Sequence, residues 1–497
     1  MDPFWFALRL GIDSSVEGWN SSNPSVADEP IWEKSNMQIE IFDAIVIGSG
    51  QGGNPLAKAM AEAGWKTAVI ERKDVGGTCV NVGCTPTKTM VASARVAYLA
   101  RRGSDFGVKT GAVSVDFPAV IQRKRDLVAK SRKSGEKGLE ETANLTLVRG
   151  EACFVGAHEV SVAMADGGGR VLSAAKIFID TGTRPALPDI SGLSEVPYLT
   201  NESIMELELL PEHLLVLGGG YIALEFAQMF RRFGSEVTLV QQGRALAEHE
   251  DSDVSDEIAK IFREDGIEVL LEAETQSIRH AASEMVMGVI VDGVMRELRG
   301  THLLIAAGRV PSTDALHCEH AGVELDTRGF VVANPRLETT AAGIWVLGDV
   351  KGGAAFTHVS YDDHRLLREN LLEGGSRVTT GRLIPYTIFI DPELGRIGMT
   401  EAEALDAGKP IKVAKLPMSS VARASESAET RGFLKAIVDA GTDQILGAAM
   451  LGVDGGEMAA QVQIAMMGGV TASALRDAIW SHPTRAEALN RLFRSYL

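Results

Sequence analysis

Residues Ile41-Phe-Asp-Ala-Ile-Val-Ile47 run directly into Gly48-Ser-Gly50-Gln-Gly-Gly53, and that junction decides the fold class. A short, unbroken, β-branched apolar run predicts a strand buried on both faces, as in a parallel sheet. An Ala-rich helical stretch follows from Pro55 to Ala63, then Gly64 and a second strand from Lys66 to Glu71. The same order returns downstream. His213 to Leu217 predicts a strand, Gly218-Gly-Gly220-Tyr-Ile-Ala223 opens a helix, and Glu236 to Gln241 predicts the next strand. The first glycines lie 170 residues apart, and in each copy the second strand ends 23 residues after the first glycine. Matched spacing of this kind marks an internal repeat of one βαβ unit.

Such a unit binds a dinucleotide for steric and electrostatic reasons. The first glycine permits the tight turn and the second lets a pyrophosphate approach the backbone. The third, alanine in the second copy, lets helix and strand pack closely. The phosphates then lie against free N–H groups at the helix N-terminus. Gly48, Gly50 and Gly53 form the first set; Gly218, Gly220 and Ala223 form the second. The chain therefore predicts an α/β protein with two Rossmann-like dinucleotide-binding units. Glu71 ends the first unit's second strand, where a carboxylate accepts hydrogen bonds from ribose hydroxyls. Gln241 ends the other and is followed by Gln242 and Arg244. A 2′-phosphate would meet no acid there and could pair with Arg244, which favours NADPH; a glutamine bonding the ribose of NADH is the alternative.

Composition bounds the class. The 497 residues carry 49 basic and 66 acidic side chains, a net charge of −17, which argues against a nucleic-acid or anionic-lipid surface. Apolar residues make up 45% and charged residues 23%, enough for a sizeable core, and the length suggests about three domains. No apolar run is long enough to span a bilayer. Four cysteines are too few for a secreted disulfide framework, so a cytoplasmic setting is expected. Residues 1–37 carry Trp5, Trp19 and Trp32 without lasting periodicity, and Asp2 and Arg9 spoil a secretory signal. They predict a loosely ordered extension, with Met37 as a candidate start of a shorter chain.

Two of the four cysteines sit in Gly76-Gly77-Thr78-Cys79-Val-Asn-Val-Gly-Cys84-Thr-Pro-Thr-Lys88, just after Glu71 and before a helical stretch from Met90 to Leu99. Their spacing does not suit a structural zinc site, and no metal is expected. Cys153 and Cys318 are isolated and predict ordinary thiols. At a helix N-terminus the dipole lowers a thiol from ~8.5 to ~7, which leaves about half protonated near neutral pH. A base is needed to cycle the proton. His482, with Glu487 five residues on to hold one ring nitrogen, is the candidate.

Together these motifs resemble the pyridine nucleotide–disulfide oxidoreductase flavoenzymes, which include glutathione reductase, lipoamide dehydrogenase and mercuric reductase. The resemblance covers residues 38–497 and adds Asp180-Thr181-Gly182-Thr183-Arg-Pro185, Ala306-Ala-Gly308-Arg309-Val-Pro311 and Gly343-Ile-Trp-Val-Leu-Gly348-Asp349. It implies an FAD-binding domain at 38–185 and 300–375, an NAD(P)H-binding domain at 186–299, and a C-terminal α+β dimerisation domain at 380–497. FAD would lie along the first unit, Gly77, Thr78, Thr181, Gly182, Thr183 and Gly348, with Asp349 on its ribityl chain. NADPH, with NADH as the alternative, would lie along the second unit with Gly308 and Arg309.

The resemblance further implies that Cys84 faces the flavin, that Cys79 exchanges with substrate, and that Lys88 and Glu225 pair beside the flavin. His482 and Glu487 would reach across a homodimer interface. The nearest look is to mercuric reductase, through Gly77 to Cys84 and Ala223 to Thr238. Three departures separate them. This chain ends Phe493-Arg-Ser-Tyr-Leu497 rather than in a cysteine pair, has no cysteine in residues 1–78, and carries the His482-Pro-Thr element of disulfide-reducing members. The expected acceptor is a small disulfide-type oxidant; a mercuric-type metal ion and a place as dihydrolipoyl dehydrogenase in a larger complex are the alternatives.

Overall fold

The computed structural model describes residues 38–496, so the predicted extension at 1–37 lies outside the described residues. The first sheet is built on β1 (Ile39–Ile47), which runs parallel to β2 (Thr67–Glu71). β3 (Leu145–Gly156) continues parallel beyond β2, and β4 (Glu159–Met164) turns back antiparallel to it. β5 (Gly169–Ile179) then pairs with β4 and with β1. A last strand, Ile344–Val346, arrives from far downstream to lie parallel to β5. The apolar run chosen from sequence is buried over its second half, where Ala44, Ile45, Val46 and Ile47 are all inaccessible or nearly so, while Ile41 at its start is 72% exposed because β1 projects there beyond its partner β2.

Helix α1 (Gly53–Glu62) leaves the first glycine turn, and α2 (Gly77–Asn81) and α3 (Cys84–Arg101) carry the two cysteines. The long α4 (Phe117–Glu140) lies against α3; its N-cap Asp116 accepts from Ala119 N–H, with Pro118 in the first turn. The second sheet is wholly parallel: β9 (His302–Ile305), β6 (His213–Leu217), β7 (Glu236–Val240) and β8 (Glu268–Leu270), in that spatial order. Helix α5 (Tyr221–Phe233) follows its glycine turn and α6 (Ser252–Glu264) precedes β8. Gln241 lies one residue past β7, which ends at Val240 rather than at the glutamine.

The two copies share one steric device. Gly48 has φ +104, and a methyl there would lie 2.2 Å from Asp180 O; Gly218 has φ +122, and a methyl there would lie 2.3 Å from Ala306 O. Each carbonyl belongs to the residue just past a neighbouring strand, so both turns are pressed against the sheet edge from which the ligand groove opens. After α7 (Thr357–Leu372) comes an antiparallel sheet, in the order β10 (Tyr386–Ile388), β11 (Glu393–Gly398), β14 (Ile445–Gly452), β13 (Phe433–Asp439) and β12 (Ile411–Pro417). Helix α8 (Gly455–Met467) packs on it.

The glycines of the first turn are not interchangeable with alanine. A methyl at Gly53 would meet Gly48 O at 2.5 Å and Asp180 Oδ2 at 2.7 Å, whereas one at Gly220 meets nothing within 4 Å. Gly53→Ala should therefore cost about 1–3 kcal/mol in urea unfolding, and Gly220→Ala should stay within about 0.5 kcal/mol of the parent.

Candidate active site

The first glycine turn, the cysteine helices and the aromatic edge of the antiparallel sheet enclose one cavity of about 750 Å³. Asp180, buried at the end of β5, organises its floor. Its Oδ2 accepts from Gly53 N–H at 2.7 Å, and a methyl at Gly50 would lie 2.8 Å from the same oxygen. Burial holds the Asp180 carboxyl well above the usual range, opposed by that N–H bond, while Asp349, Asp363 and Glu71 add like charge. Glu71 lies at the far end and is turned inward by Ser49, whose N–H and hydroxyl donate to Oε2 at 3.1 and 2.6 Å.

These residues fit a long anionic dinucleotide. Helix α1 begins at a glycine N-cap and has no acid in its first turn, so its dipole favours an anion beside the turn, while its own first N–H groups, Gly53 and Asn54, are held by Asp180 Oδ2 and Gly50 O. The hydroxyl of Thr181, on the cavity wall, is buried with no hydrogen-bond partner among the described residues. At the other end Asp349 takes a hydrogen bond from Thr183 Oγ1 at 3.4 Å, and Arg309 donates to Thr183 Oγ1 and O at 2.8 and 2.7 Å. Gly48, Gly50, Glu71, Gly77, Thr78, Gly182 and Thr183, with Arg309 and Asp349, all line this one cavity.

The cysteines meet at its centre. Cys79 lies in α2 and Cys84 is the first residue of α3, so both stand at the wall, and both are free thiols. The predicted helix beginning near Met90 in fact starts at Cys84, preceded by a separate turn of helix. Cys84 is drawn down to about 6, chiefly because the Cys79 S–H donates to it; burial opposes this, and Thr357 and Lys88 assist. The Thr357 hydroxyl lies 3.4 Å from Cys84 Sγ. Cys79 is pushed up by the same bond and by burial, because it is the thiol that keeps the proton. The helix dipole alone could not separate two neighbouring thiols in this way.

Lys88, one turn into α3, forms an ion pair with Glu225 of α5 at 2.7 Å. Glu225 is only 3% exposed, and its Oε1 also accepts from Phe389 N–H at 2.9 Å. Beside the cysteines stands an aromatic wall: Phe356 stacks on Tyr386 at 5.5 Å and on His358 at 5.4 Å. Tyr221, at the start of α5, reaches the same cavity.

Other predicted residues lie elsewhere. Gly218, Gly220, Ala223, Gln241, Arg244, Gly308 and Gly348 are not among the cavity-lining residues. Those of the second unit belong to its own turn, and Gly348 lies beneath the floor, where a methyl would meet Asp180 Oδ1 at 2.6 Å. His482 and Glu487 also stand apart from the cavity of their own chain. They are nevertheless assembled: Glu487 Oε2 lies 2.8 Å from His482 Nδ1, which leaves Nε2 facing outward on a ring 70% exposed. Thr357, Asp180 and the aromatic wall escaped sequence reasoning. Only Thr357, close behind Asp349, carried a usable signal there, since a hydroxyl at a helix start is a common capping residue.

Comparison with known proteins now decides the family. Residues 42–363 match the model of the pyridine nucleotide-disulphide oxidoreductases, and residues 384–493 match the dimerisation domain of the same family. The chain belongs to that family. The probable pyridine nucleotide-disulfide oxidoreductase RclA of Escherichia coli is 40% identical over 91% of this chain and 98% of its own length. A mercuric reductase of Streptomyces lividans is 36% identical over 90% of this chain and 94% of its own. A solved structure, the Cu(II) complex of the HOCl-induced flavoprotein disulfide reductase RclA from Escherichia coli, superposes with a TM-score of 0.84 at 39% identity. It covers 92% of this chain and 99% of that one. As a pyridine nucleotide-disulphide oxidoreductase, the chain uses FAD and NAD(P)H and is an oxidoreductase of the flavoprotein type.

The thiol pair generates a direct test. In the reduced protein, thiolate absorbance near 240 nm should persist down to about pH 6 and disappear below it. Cys79→Ala, which removes the largest stabilising bond, should move that transition upward the most, and Thr357→Val should move it by less.

Proposed function

We propose that the protein is an NAD(P)H-driven reductase of small disulfide-type acceptors, acting as a homodimer in the cytoplasm. The observation that carries this reading is the placement of the thiol pair: Cys79 and Cys84 stand together on the wall of the cavity that fits the dinucleotide, with Thr357 3.4 Å from Cys84 and the Lys88–Glu225 ion pair beside them. FAD, which Gly48, Gly50, Glu71, Thr183 and Asp349 would hold, would supply two-electron transfer between the nicotinamide and the Cys79–Cys84 pair. The chain's residues do the rest. Lys88 and Thr357 favour negative charge on Cys84, so in the reduced pair the charge lies toward Cys84 and the proton toward Cys79.

Cys79 becomes a nucleophile only when its proton is taken, and a base is required for that. We assign this role to His482 of the other protomer, oriented by Glu487. The open edge of its imidazole, away from its own cavity, supports this, as does the family's dimerisation domain at 384–493. Cys79 then attacks one sulfur of the acceptor, forming a mixed disulfide and releasing the first thiol, which takes the proton from His482. The Cys84 thiolate attacks Cys79 in turn, closes the Cys79–Cys84 disulfide and releases the second half of the acceptor as a thiolate, which takes its proton from water. Two electrons enter and two leave.

The chain divides on this reading as the motifs suggest. The FAD domain takes 38–185 and 300–375, the NAD(P)H domain 186–299 and the dimerisation domain 380–497. The strand Ile344–Val346, which completes the first sheet, supports the split FAD domain. Four free cysteines suit a reducing compartment, and among the described residues no helix is long and apolar enough to cross a membrane. A second reading is reduction of a soft metal ion. One observation favours it: Cys84, a thiolate at neutral pH, is exposed on the cavity wall as a soft ligand. Relatives named as mercuric reductases, and an RclA solved with Cu(II), point the same way.

A mixing experiment tests the shared site. Cys79→Ser and His482→Ala homodimers should each turn over disulfides at least about a hundredfold more slowly than the parent. Subunit exchange at equal amounts should restore about a quarter of parental activity, because half the dimers are hybrids with one intact site. No recovery despite exchange would place the base in the same chain. A panel of disulfides, Hg²⁺ and Cu²⁺ under one NAD(P)H assay ranks the two readings; negligible disulfide turnover beside brisk metal-dependent oxidation would select the second.

A further inference from the structure

The two nucleotide units differ in where they keep their acid. In the first, Glu71 closes β2 and is drawn against the glycine turn by Ser49. In the second, Gln241 stands just past β7, and its side chain folds back over the turn: a methyl at Gly219 would lie 2.8 Å from Gln241 Cδ. The chain that follows does not leave. Ala247, at φ +48, donates its N–H to Gly219 O at 2.9 Å, which pins the returning loop onto the glycine turn. The next residue is Glu248, and its carboxylate reaches the end of the strand. A methyl at Gly243 would lie 1.5 Å from Glu248 Oε1 and 2.8 Å from Gln241 Nε2, so carboxylate and amide crowd the same point. Glu248 is exposed there, open to a ligand. Arg244, also exposed, forms no ion pair among the described residues.

We propose that Glu248 accepts the adenosine ribose hydroxyls in the second site and sets coenzyme selectivity, so that NADH binds more tightly than NADPH. The acid absent from the strand end is supplied seven residues later by a loop that doubles back onto the turn. An ionised carboxylate accepts hydrogen bonds from a diol but offers none to a phosphate. A 2′-phosphate would bring like charge to a site already holding a carboxylate, against a single mobile guanidinium. Arg244 offsets part of that repulsion, which keeps NADPH a usable donor. The inference rests on the second unit holding a nicotinamide dinucleotide, and the test separates the two claims.

Titration calorimetry of the FAD-loaded dimer with ADP-ribose and with 2′-phospho-ADP-ribose reads the site without turnover. The parent should bind ADP-ribose about tenfold more tightly. Glu248→Gln, on an exposed side chain, should shrink that ratio to about threefold or less by strengthening the phosphorylated ligand. Arg244→Ala should widen it. The kcat/KM values for NADH and NADPH should follow the same order. A parent that prefers the 2′-phosphate, or a Glu248→Gln ratio within about twofold of the parental one, overturns the role of Glu248 while leaving the dinucleotide site intact. Failure of both ligands to bind would remove the dinucleotide reading itself, and this inference with it.

Discussion

The ion pair between Lys88 and Glu225 is the contact on which the rest of the site depends. It joins α3, which begins with Cys84, to α5, which begins at the second glycine turn. Glu225 is nearly inaccessible, so its charge has to be met inside the protein, and the Lys88 ammonium and Phe389 N–H meet it from two other elements. Removing one partner of such a pair commonly costs about 3–5 kcal/mol, though Lys88 is partly exposed and some of that is screened. The position of the ammonium matters more than the energy. It stands where it favours a thiolate on Cys84, and it fixes the cysteine helix to the second glycine-turn unit.

A second set of contacts keeps the three parts of the chain in one relation. Tyr98 of α3 is surrounded by guanidiniums: Arg232 of α5 lies 3.8 Å from the ring centroid, with Arg102 at 5.1 Å and Arg431 at 5.5 Å. Each is neutralised from elsewhere. Arg232 pairs with Asp391, Arg431 with Asp265, and Arg102 with Glu429. Further along, buried Arg396 and Lys435 of the antiparallel sheet meet Asp251, and Tyr386 bonds to Glu250. Buried networks of this kind add little net stability, but they penalise any arrangement that leaves one member unpaired. The aromatic wall over the cysteines thus takes its position from the second glycine-turn unit, because Tyr386 is held there by Glu250 and Phe356 stacks on Tyr386.

The parts legible in the sequence were those whose chemistry is local. The apolar runs at 41–47 and 213–217, their glycine turns and Glu71 are set by backbone sterics and period, and they appear in the structure close to where they were read. The cysteine spacing likewise announced a reactive pair. What remained hidden was set by long-range approach. Asp180 acts on Gly53 across 127 residues and Thr357 on Cys84 across 273. No periodicity reports such meetings. The start of α3 was misplaced for a related reason: Cys84 to Lys88 contains Pro86 and two threonines, which lower intrinsic helicity, yet proline is tolerated in a first turn. Glu248 was invisible because the eye stops at the strand end, whereas the chain folds back.

On the proposed reading, one polypeptide supplies only part of the chemistry. Within the chain the bond from Cys79 to Cys84, with Thr357 and Lys88, favours charge on Cys84 and the proton on Cys79. That distribution disfavours reaction at Cys79, since the thiolate is the nucleophile. A base facing Cys79 from within the same fold would stabilise the opposite distribution even without substrate. If His482, exposed and paired with Glu487, is the base as proposed, activation of Cys79 is conditional on a second surface being docked. On that proposal dimerisation is a chemical requirement as well as a structural one: an isolated chain would hold its reducing equivalents with the charge on Cys84, and only the assembled pair would release them through Cys79.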